Sequence, residues 1–224
     1  MLRERSEIFN IGIGLGISNG IVGARFPDVH SMNVDYSPAV LSFIRRYADF
    51  NGRLLEQKNS EVRIADGRLA LLRDERVYDL IAELGNQDGY PGASTIKSVE
   101  FLELVRRRLR PGGVYFAAGT GRFFAATLQS TFRNVYAVRG LLTFIATDSD
   151  LPSLVDITAI DRLRAVDADF AAEMDRIGGF QIVRLAPIGG RLVRDEDPVA
   201  DYNRRHVNAP DEGEVALTVG RPRH

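Results

Sequence analysis

The stretch IFNIGIGLGISNG, residues 8–20, joins an apolar run to three alternate glycines, Gly12, Gly14 and Gly16. The apolar run predicts a buried strand over residues 7–13, followed by a loop at the glycines and then a helix. Glycines let the backbone turn sharply and let a ligand approach the main chain and the helix N-terminus. The stretch therefore predicts the first strand–loop–helix unit of a nucleotide-binding, Rossmann-like sheet.

The glycine spacing separates this loop from that of dinucleotide-binding enzymes. Their fingerprint, G-x-G-x-x-G, requires a third glycine, but that position holds Ile17 or Asn19, depending on which glycine pair starts the count. Ser18 or Asn19 is expected to cap the following helix, because short polar side chains accept hydrogen bonds from its first free amides. Because the third glycine is missing, a nicotinamide-dependent dehydrogenase is disfavoured.

An uncharged run after a charged start also resembles a signal peptide or a membrane helix. Residues 8–24 contain no charged side chain and follow the segment MLRERSE. A helix that spans a bilayer needs about 20 apolar residues, however, and five glycines and two asparagines make this run a poor helix former. We therefore expect no membrane span in this chain and a cytoplasmic protein.

Composition restricts the chemistry available to the chain. Its 224 residues carry a formal net charge of −1 and include no cysteine and three histidines. We expect no nucleic-acid partner, because no basic excess exists to attract phosphates. We also expect no metal, because thiolates are absent and the histidines are scattered. The length fits one α/β domain over residues 1–224, with a core over about 7–150 and a C-terminal extension over about 151–224.

Beyond the glycines, apolar strands alternate with amphipathic helices. Strands are predicted over residues 31–38, 61–68, 77–84 and 111–119, and helices over 38–49, 69–75, 95–109 and 123–132. Such alternation predicts an α/β fold with a doubly wound, mostly parallel sheet. Two strands joined only by a turn, in NVYAVRG (134–140) and LLTFIATDS (141–149), predict an antiparallel edge.

The C-terminal extension gives weaker patterns. Residues 159–179 are expected to form a helix, and EVALTV, residues 214–219, is expected to form a last strand. An acidic cluster, Asp195, Glu196 and Asp197, favours a solvated charge run over a role at the mouth of a site or in attracting a polycation.

Two acidic residues end neighbouring predicted strands. Asp35 lies nineteen residues beyond Gly16, and a carboxylate there can accept hydrogen bonds from both ribose hydroxyls. Asp66 ends the third strand, where a carboxylate can accept a hydrogen bond from an exocyclic adenine amine. Each has a structural alternative, Asp35 as a cap before Pro38 and Asp66 as a turn residue. Together they predict a nucleoside site at the carboxyl edge of the sheet.

The ordered segments IGIGLG, NVDYSPAV, ADGR, YDLIAE and LRPGGVYF resemble the motifs of class I S-adenosylmethionine-dependent transferases. Within that class the chain most resembles the spermidine synthases, and above all the spermidine-synthase-like domains fused to membrane segments, through AELGNQDGYPGASTIKSVEF and RDEDPVADY. The likeness covers about residues 8–205. It implies a class I methyltransferase fold, S-adenosylmethionine or its decarboxylated form as cofactor, and a small amine or another small nucleophile as acceptor.

The resemblance also implies roles for individual residues. The three loop glycines, Gly12, Gly14 and Gly16, would line the S-adenosylmethionine moiety. Asp35 would hold the ribose, and Tyr36 would stack near the adenine. Asp66 would hold the adenine amine, and Gly67 would keep that turn close.

Aminopropyl transfer needs carboxylates that keep the attacking amine neutral and hold the cationic ends of a polyamine. In spermidine synthases the strand similar to YDLI precedes a D-x-x-D-P loop with the catalytic aspartate, and that position is Leu84 here. Glu83 and Asp88 are the candidate catalytic acids, with a plain strand-end carboxylate and an ordinary polar turn as their alternatives. Two other functions stay open: a small-molecule methyltransferase, and a non-catalytic nucleoside-binding module that has lost the aspartate.

The resemblance bears on assembly as well. Spermidine synthases carry a β-rich N-terminal extension that covers the site and helps to pair subunits, whereas this chain starts a few residues before its first predicted strand. We therefore expect a more open pocket, or one closed by the loop at residues 85–95 or by a second subunit in a homodimer.

Overall fold

The computed structural model describes residues 6–84, 93–119, 121–139, 143–154, 161, 164–165, 167–177, 179–197 and 213–219. Among these residues the strands are β1 Glu7–Ile11, β2 His30–Asp35, β3 Ser60–Ile64, β4 Tyr78–Glu83, β5 Leu109–Ala118, β6 Asn134–Val138, β7 Thr143–Thr147, β8 Phe180–Leu185 and β9 Gly213–Val219. The helices are α1 Ile17–Arg25, α2 Val40–Arg46, α3 Gly67–Arg73, α4 Val99–Arg108, α5 Arg122–Thr131, α6 Leu151–Leu154 and α7 Ala168–Ile177.

The described strands form one mixed sheet in the order β3-β2-β1-β4-β5-β7-β6-β8-β9. Neighbours among β1 to β5 are parallel, whereas β7 is antiparallel to both β5 and β6. The predicted doubly wound sheet with an antiparallel edge is therefore confirmed. That edge is longer than predicted, because β8, which the sequence did not indicate, joins β6 and in turn pairs with β9.

Apolar side chains cover both faces of the sheet. Along β5, Tyr115 and Ala117 belong to a core cluster with residues of α3, α4 and α5, whereas Val114 and Phe116 belong to a second cluster on the opposite face. This alternation follows from the two-residue period of a strand. A third cluster joins Ile13 to α2. The central strands β1 and β2 are therefore mostly buried, as in parallel sheets generally, whereas the edge strand β3 is partly exposed.

Helix α4 illustrates how the local sequence sets an element. Ser98 caps it by accepting a hydrogen bond from the Phe101 amide at 3.2 Å. The buried side chains of the helix lie on one face, and three arginines occupy its last turn, where positive charge stabilises the helix dipole. The helix begins at Val99 and not at residue 95 as predicted, because residues 93–96 form a 3₁₀ turn.

The start of α1 differs from the prediction. Gly16 occupies the N-cap position in a left-handed conformation, and no side chain caps the helix. The expectation that Ser18 or Asn19 forms the cap is wrong, because the helix already begins at Ile17 and the Asn19 amide points inward to Asn33. Among the described helices, none combines the length and the apolar character that a bilayer crossing requires.

Candidate functional site

The loop between β1 and α1 lies at the carboxyl edge of the sheet. Gly12, Gly14 and Gly16 have φ angles of 91°, 56° and 76°, a region that side chains disfavour. A Cβ atom built on Gly14 would meet no atom within 4 Å, whereas one built on Gly16 would lie 2.9 Å from Leu54 Cδ2. Gly16 therefore packs the loop against the protein, and Gly14 leaves the main chain bare toward open space.

A buried asparagine network holds α1 against the sheet. The Asn33 side-chain oxygen accepts hydrogen bonds from Asn10 Nδ2 at 2.7 Å and from Asn19 Nδ2 at 2.8 Å. Its own amide nitrogen donates to Ser31, to Ser60 and to the Glu61 carbonyl. Buried polar groups that are fully hydrogen-bonded fix one arrangement, so this network sets where the glycine loop ends and α1 begins.

A second asparagine fixes the loop from the other side. Asn51 is fully buried, and its Nδ2 donates to the Leu15 carbonyl at 3.0 Å and to the Ile44 carbonyl at 2.9 Å. Its Oδ1 accepts from the Leu54 amide at 3.3 Å. One side chain thereby connects the glycine loop to the end of α2.

The Asp35 carboxylate lies directly against the glycine loop. Its Oδ2 accepts hydrogen bonds from the Ile13 amide at 2.9 Å and from the Gly14 amide at 3.5 Å, and its Oδ1 accepts from the Ser37 amide at 2.9 Å. A carboxylate offers about four acceptor positions, so one remains on Oδ1. A second ribose hydroxyl can be accepted if the long bond from Gly14 is released.

Tyr36 and Asp66 flank Asp35 at the same edge. The Tyr36 side chain is 82% exposed, so a flat ring is available for stacking. Asp66 is exposed and caps α3 by accepting from the Leu69 amide at 2.8 Å. The Ala65 amide donates to the Asp35 carbonyl at 2.9 Å, which joins the two strand ends.

Gly67 permits a close approach between α3 and β1. A Cβ atom on this residue would lie 2.6 Å from Ile11 Cγ2, a distance that no side chain tolerates. The turn that carries Asp66 therefore packs directly on the strand that leads into the glycine loop. The glycine loop, Asp35 and the turn of Asp66 and Gly67 thus adjoin one another at the carboxyl edge, with Tyr36 next to Asp35 in the chain.

Glu83 ends β4 and is 1% exposed. It pairs in register with Ile11 on one side and with Ala117 on the other, which places it at the carboxyl edge, level with the residue that precedes the glycine loop. Burial and the nearby charge of Glu83 raise the pKa of Tyr115 well above its usual value. With only 1% exposure, the Glu83 carboxylate is shielded from bulk water. Asp88, the other candidate acid, lies outside the described residues.

Lys97 is a buried charged residue that sequence reasoning missed. It is fully buried, and its Nζ lies 5.1 Å from the centroid of the Phe124 ring. A Cβ atom on Gly119, just after β5, would lie 2.8 Å from the same Nζ. The Lys97 amine therefore lies against the end of β5, beside Gly119. Gly119 is two residues beyond Ala117, which pairs with Glu83 in the sheet. Nothing around Lys97 in the sequence indicates its burial, because lysine side chains are almost never fully buried.

The acidic cluster is paired with arginines rather than simply solvated. Asp195 binds both terminal nitrogens of Arg68, at 2.7 and 2.6 Å, and Asp197 binds Arg191. Glu196 is exposed. In the described part of the chain, no group of three or more acidic or histidine side chains is arranged to hold a metal ion.

Comparison with known proteins identifies the fold. No protein-family model and no curated protein matches the chain. Human methyltransferase-like protein 13 in complex with SAH is 20% identical with a TM-score of 0.53, over 63% of this chain and 71% of that one. A spermidine synthase in complex with the transition-state analogue AdoDATO is 16% identical with a TM-score of 0.61, over 70% and 59% of the two chains.

A probable spermidine synthase from Corynebacterium glutamicum is similar as well. It is 19% identical with a TM-score of 0.53, over 65% of this chain and 57% of that one. The matched region thus spans less than two thirds of the length of either spermidine synthase. The chain has the fold shared by class I S-adenosylmethionine-dependent methyltransferases and spermidine synthases.

Proposed function

We propose that the chain is a transferase that binds S-adenosylmethionine or its decarboxylated form and alkylates an amine or another small nucleophile. The observation that carries the proposal is the form of the carboxyl edge. The main chain is bare at Gly14, Asp35 ends the neighbouring strand β2, and Asp66 lies two residues beyond the end of β3. In parallel α/β sheets, ligands bind outside the carboxyl ends of the strands.

The residues at this edge fit the adenosine part of such a cofactor. The Asp35 carboxylate retains an acceptor position for a ribose hydroxyl, and the exposed Tyr36 ring offers a stacking surface for the adenine. Asp66 is exposed on the adjacent strand end and supplies an acceptor for the adenine amine. Gly14 leaves room for the cofactor to lie against the backbone.

A cofactor of this type supplies an electrophilic carbon next to a sulfonium. The chain must then provide a group that takes a proton from the attacking nucleophile or balances its positive charge. We assign this task to Glu83, because it ends β4 beside β1, the strand that leads into the glycine loop.

A non-catalytic nucleoside-binding module is the second candidate. Leu84 favours this candidate. It occupies the position at which spermidine synthases carry an aspartate, and a leucine side chain cannot accept a proton. Such a module would bind the cofactor but transfer nothing.

Calorimetry with S-adenosylmethionine, its decarboxylated form and methylthioadenosine tests the proposal. We expect binding of at least one of the three, and the proposal is refuted if none binds. The by-product separates the chemistries: aminopropyl transfer releases methylthioadenosine, and methyl transfer releases S-adenosylhomocysteine. Cofactor binding without either product over a panel of amines would support the module instead.

Glu83→Gln tests the chemical role. We expect this variant to lose about 10²–10⁴-fold in turnover, as is typical of a lost general base, and to retain cofactor affinity. Glu103→Gln is the matched control, because Glu103 is an exposed residue of α4. Equal turnover in the two variants would show that Glu83 carries no chemistry.

A further inference from the structure

The segment after β8, residues 186–197, crosses the helices on one face of the sheet; we call it the C-terminal strap. It is tied to α5 by Gln129, whose side chain donates to the Ala186 carbonyl at 2.8 Å and accepts from the Ile188 amide at 2.8 Å. The strap therefore follows the protein surface in a defined path.

Val193 anchors the middle of the strap between two helices. Its side chain is fully buried, its amide donates to Thr127 Oγ1 at 2.9 Å, and its carbonyl accepts from the Val99 amide at 2.9 Å. Because Val99 begins α4, the strap reaches the carboxyl edge of the sheet, where α3 and α4 both start.

Beyond Val193, Asp195 is held from two helices. The carboxylate accepts both terminal nitrogens of Arg68, the second residue of α3, while the Asp195 amide donates to Glu100 of α4 at 3.1 Å. Arg68 also donates to the Thr95 carbonyl at 2.9 Å. The Arg68 guanidinium and a hydrogen bond from Ser98 keep the pKa of Asp195 below its usual value, so the pair is ionised at neutral pH.

Arg68 directly follows the turn that faces the candidate nucleoside site. Gly67 packs that turn on Ile11 of β1, and Arg68 ties it to the strap and to Thr95. The turn is thus fixed from two sides, and both constraints bear on where the Asp66 carboxylate lies relative to the glycine loop.

We propose that Arg68 and Asp195 are positioning residues for the nucleoside side of the site, and that the C-terminal strap acts through them to hold Asp66 in place for the adenine. The inference rests on the proposed function, because it concerns the affinity of the same site. Neither residue needs to touch the ligand.

A role in stability alone does not account for this arrangement. The side chains of Arg68 and Asp195 are 26% and 41% exposed, and ion pairs this exposed contribute little to folding stability. A bidentate arginine–carboxylate pair, however, fixes direction as well as distance. The consequence of losing it is therefore expected in ligand affinity rather than in the free energy of unfolding.

The test compares Asp195→Asn with Asp197→Asn. Asp197 is the matched control, because it pairs with Arg191 inside the same strap and not with α3. Calorimetry would give the dissociation constants of S-adenosylhomocysteine and methylthioadenosine, and hydrogen exchange would follow the Leu69 amide, which Asp66 caps. We expect Asp195→Asn to weaken nucleoside binding about tenfold, about 1.4 kcal/mol, and to speed exchange at Leu69. Asp197→Asn is expected to change neither.

Equal affinity and equal Leu69 exchange in the two variants would overturn the inference while leaving the proposed function intact. A wild-type chain that binds no nucleoside refutes the proposed function and the inference with it. If Asp195→Asn does not fold, Arg68→Lys takes its place, since lysine keeps the charge but cannot form the bidentate pair. Wild-type affinity in Arg68→Lys would equally overturn the inference.

Discussion

Gly14→Ala tests whether bare backbone in the glycine loop is what the ligand needs. Gly14 has a φ of 56°, and an L-residue in this left-handed region is less stable by about 1–2 kcal/mol. The added methyl group meets no protein atom within 4 Å, so strain is the only expected cost to folding. For a chain of this length that corresponds to a fall in Tm of about 2–8 °C.

Gly52→Ala is the matched control for this variant. Gly52 has a φ of 61°, and its added Cβ would lie 3.2 Å from the Gly20 carbonyl oxygen, so its loss of stability should be at least as large. Gly52 follows α2 and does not belong to the loop between β1 and α1. We therefore expect the two variants to be similarly destabilised, but only one of them to be impaired in binding.

Calorimetry with methylthioadenosine would separate the two effects. We expect Gly14→Ala to weaken binding at least about tenfold, about 1.4 kcal/mol, because the methyl group occupies the space that the ligand requires. Gly52→Ala should bind within about twofold of the wild type. Unchanged affinity in Gly14→Ala, together with the expected fall in Tm, would refute the idea that a ligand lies on this backbone.

Three further variants test the supports of the site. Tyr36→Ala removes an 82% exposed ring; we expect unchanged Tm but a loss of about 1–3 kcal/mol in nucleoside affinity, and calorimetry showing no loss would contradict a stacking role. Asn51→Ala removes a buried hydrogen bond to the Ile44 carbonyl and a partly buried one to the Leu15 carbonyl, so the free energy of unfolding in denaturant should fall by about 1–3 kcal/mol. A fall within about 0.5 kcal/mol, the usual range for surface positions, would contradict this role. Arg76 holds the pKa of Asp74 well below its usual value, so this carboxylate stabilises the fold above its unfolded pKa of about 3.9 and loses that contribution as the pH falls toward the folded value. Asp74→Asn should therefore cost about 1–2 kcal/mol at neutral pH, a difference that shrinks below about pH 4; a constant difference would count against the ion pair.

The sequence was sufficient for the parallel half of the sheet, because its signals are local. Apolar runs, the glycine loop and the strand-end acids each lie within one strand–loop–helix unit, and β1 to β5 follow the predicted alternation. The last strand was also predicted, but β8 was not, because its residues Phe180–Leu185 follow a helix without a clear alternating pattern.

Features that depend on distant residues could not be predicted. Arg68 and Asp195 lie 127 positions apart, and neither residue type indicates its partner. Asn19 looked like a helix cap because a sequence does not reveal that Asn33 lies beneath it. The residues around Lys97 in the sequence do not indicate that the end of β5 covers its side chain. Burial and pairing of polar groups are thus properties of the assembled sheet.

The most direct test of the account is a crystal structure of the chain with S-adenosylhomocysteine bound. We predict a ribose hydroxyl within hydrogen-bonding distance of the free acceptor position on Asp35 Oδ1. The adenine should lie between Tyr36 and Asp66, and the ligand should lie against the main chain of Gly14. A nucleoside bound elsewhere on the chain, or an Asp35 carboxylate that turns away from it, would contradict the account.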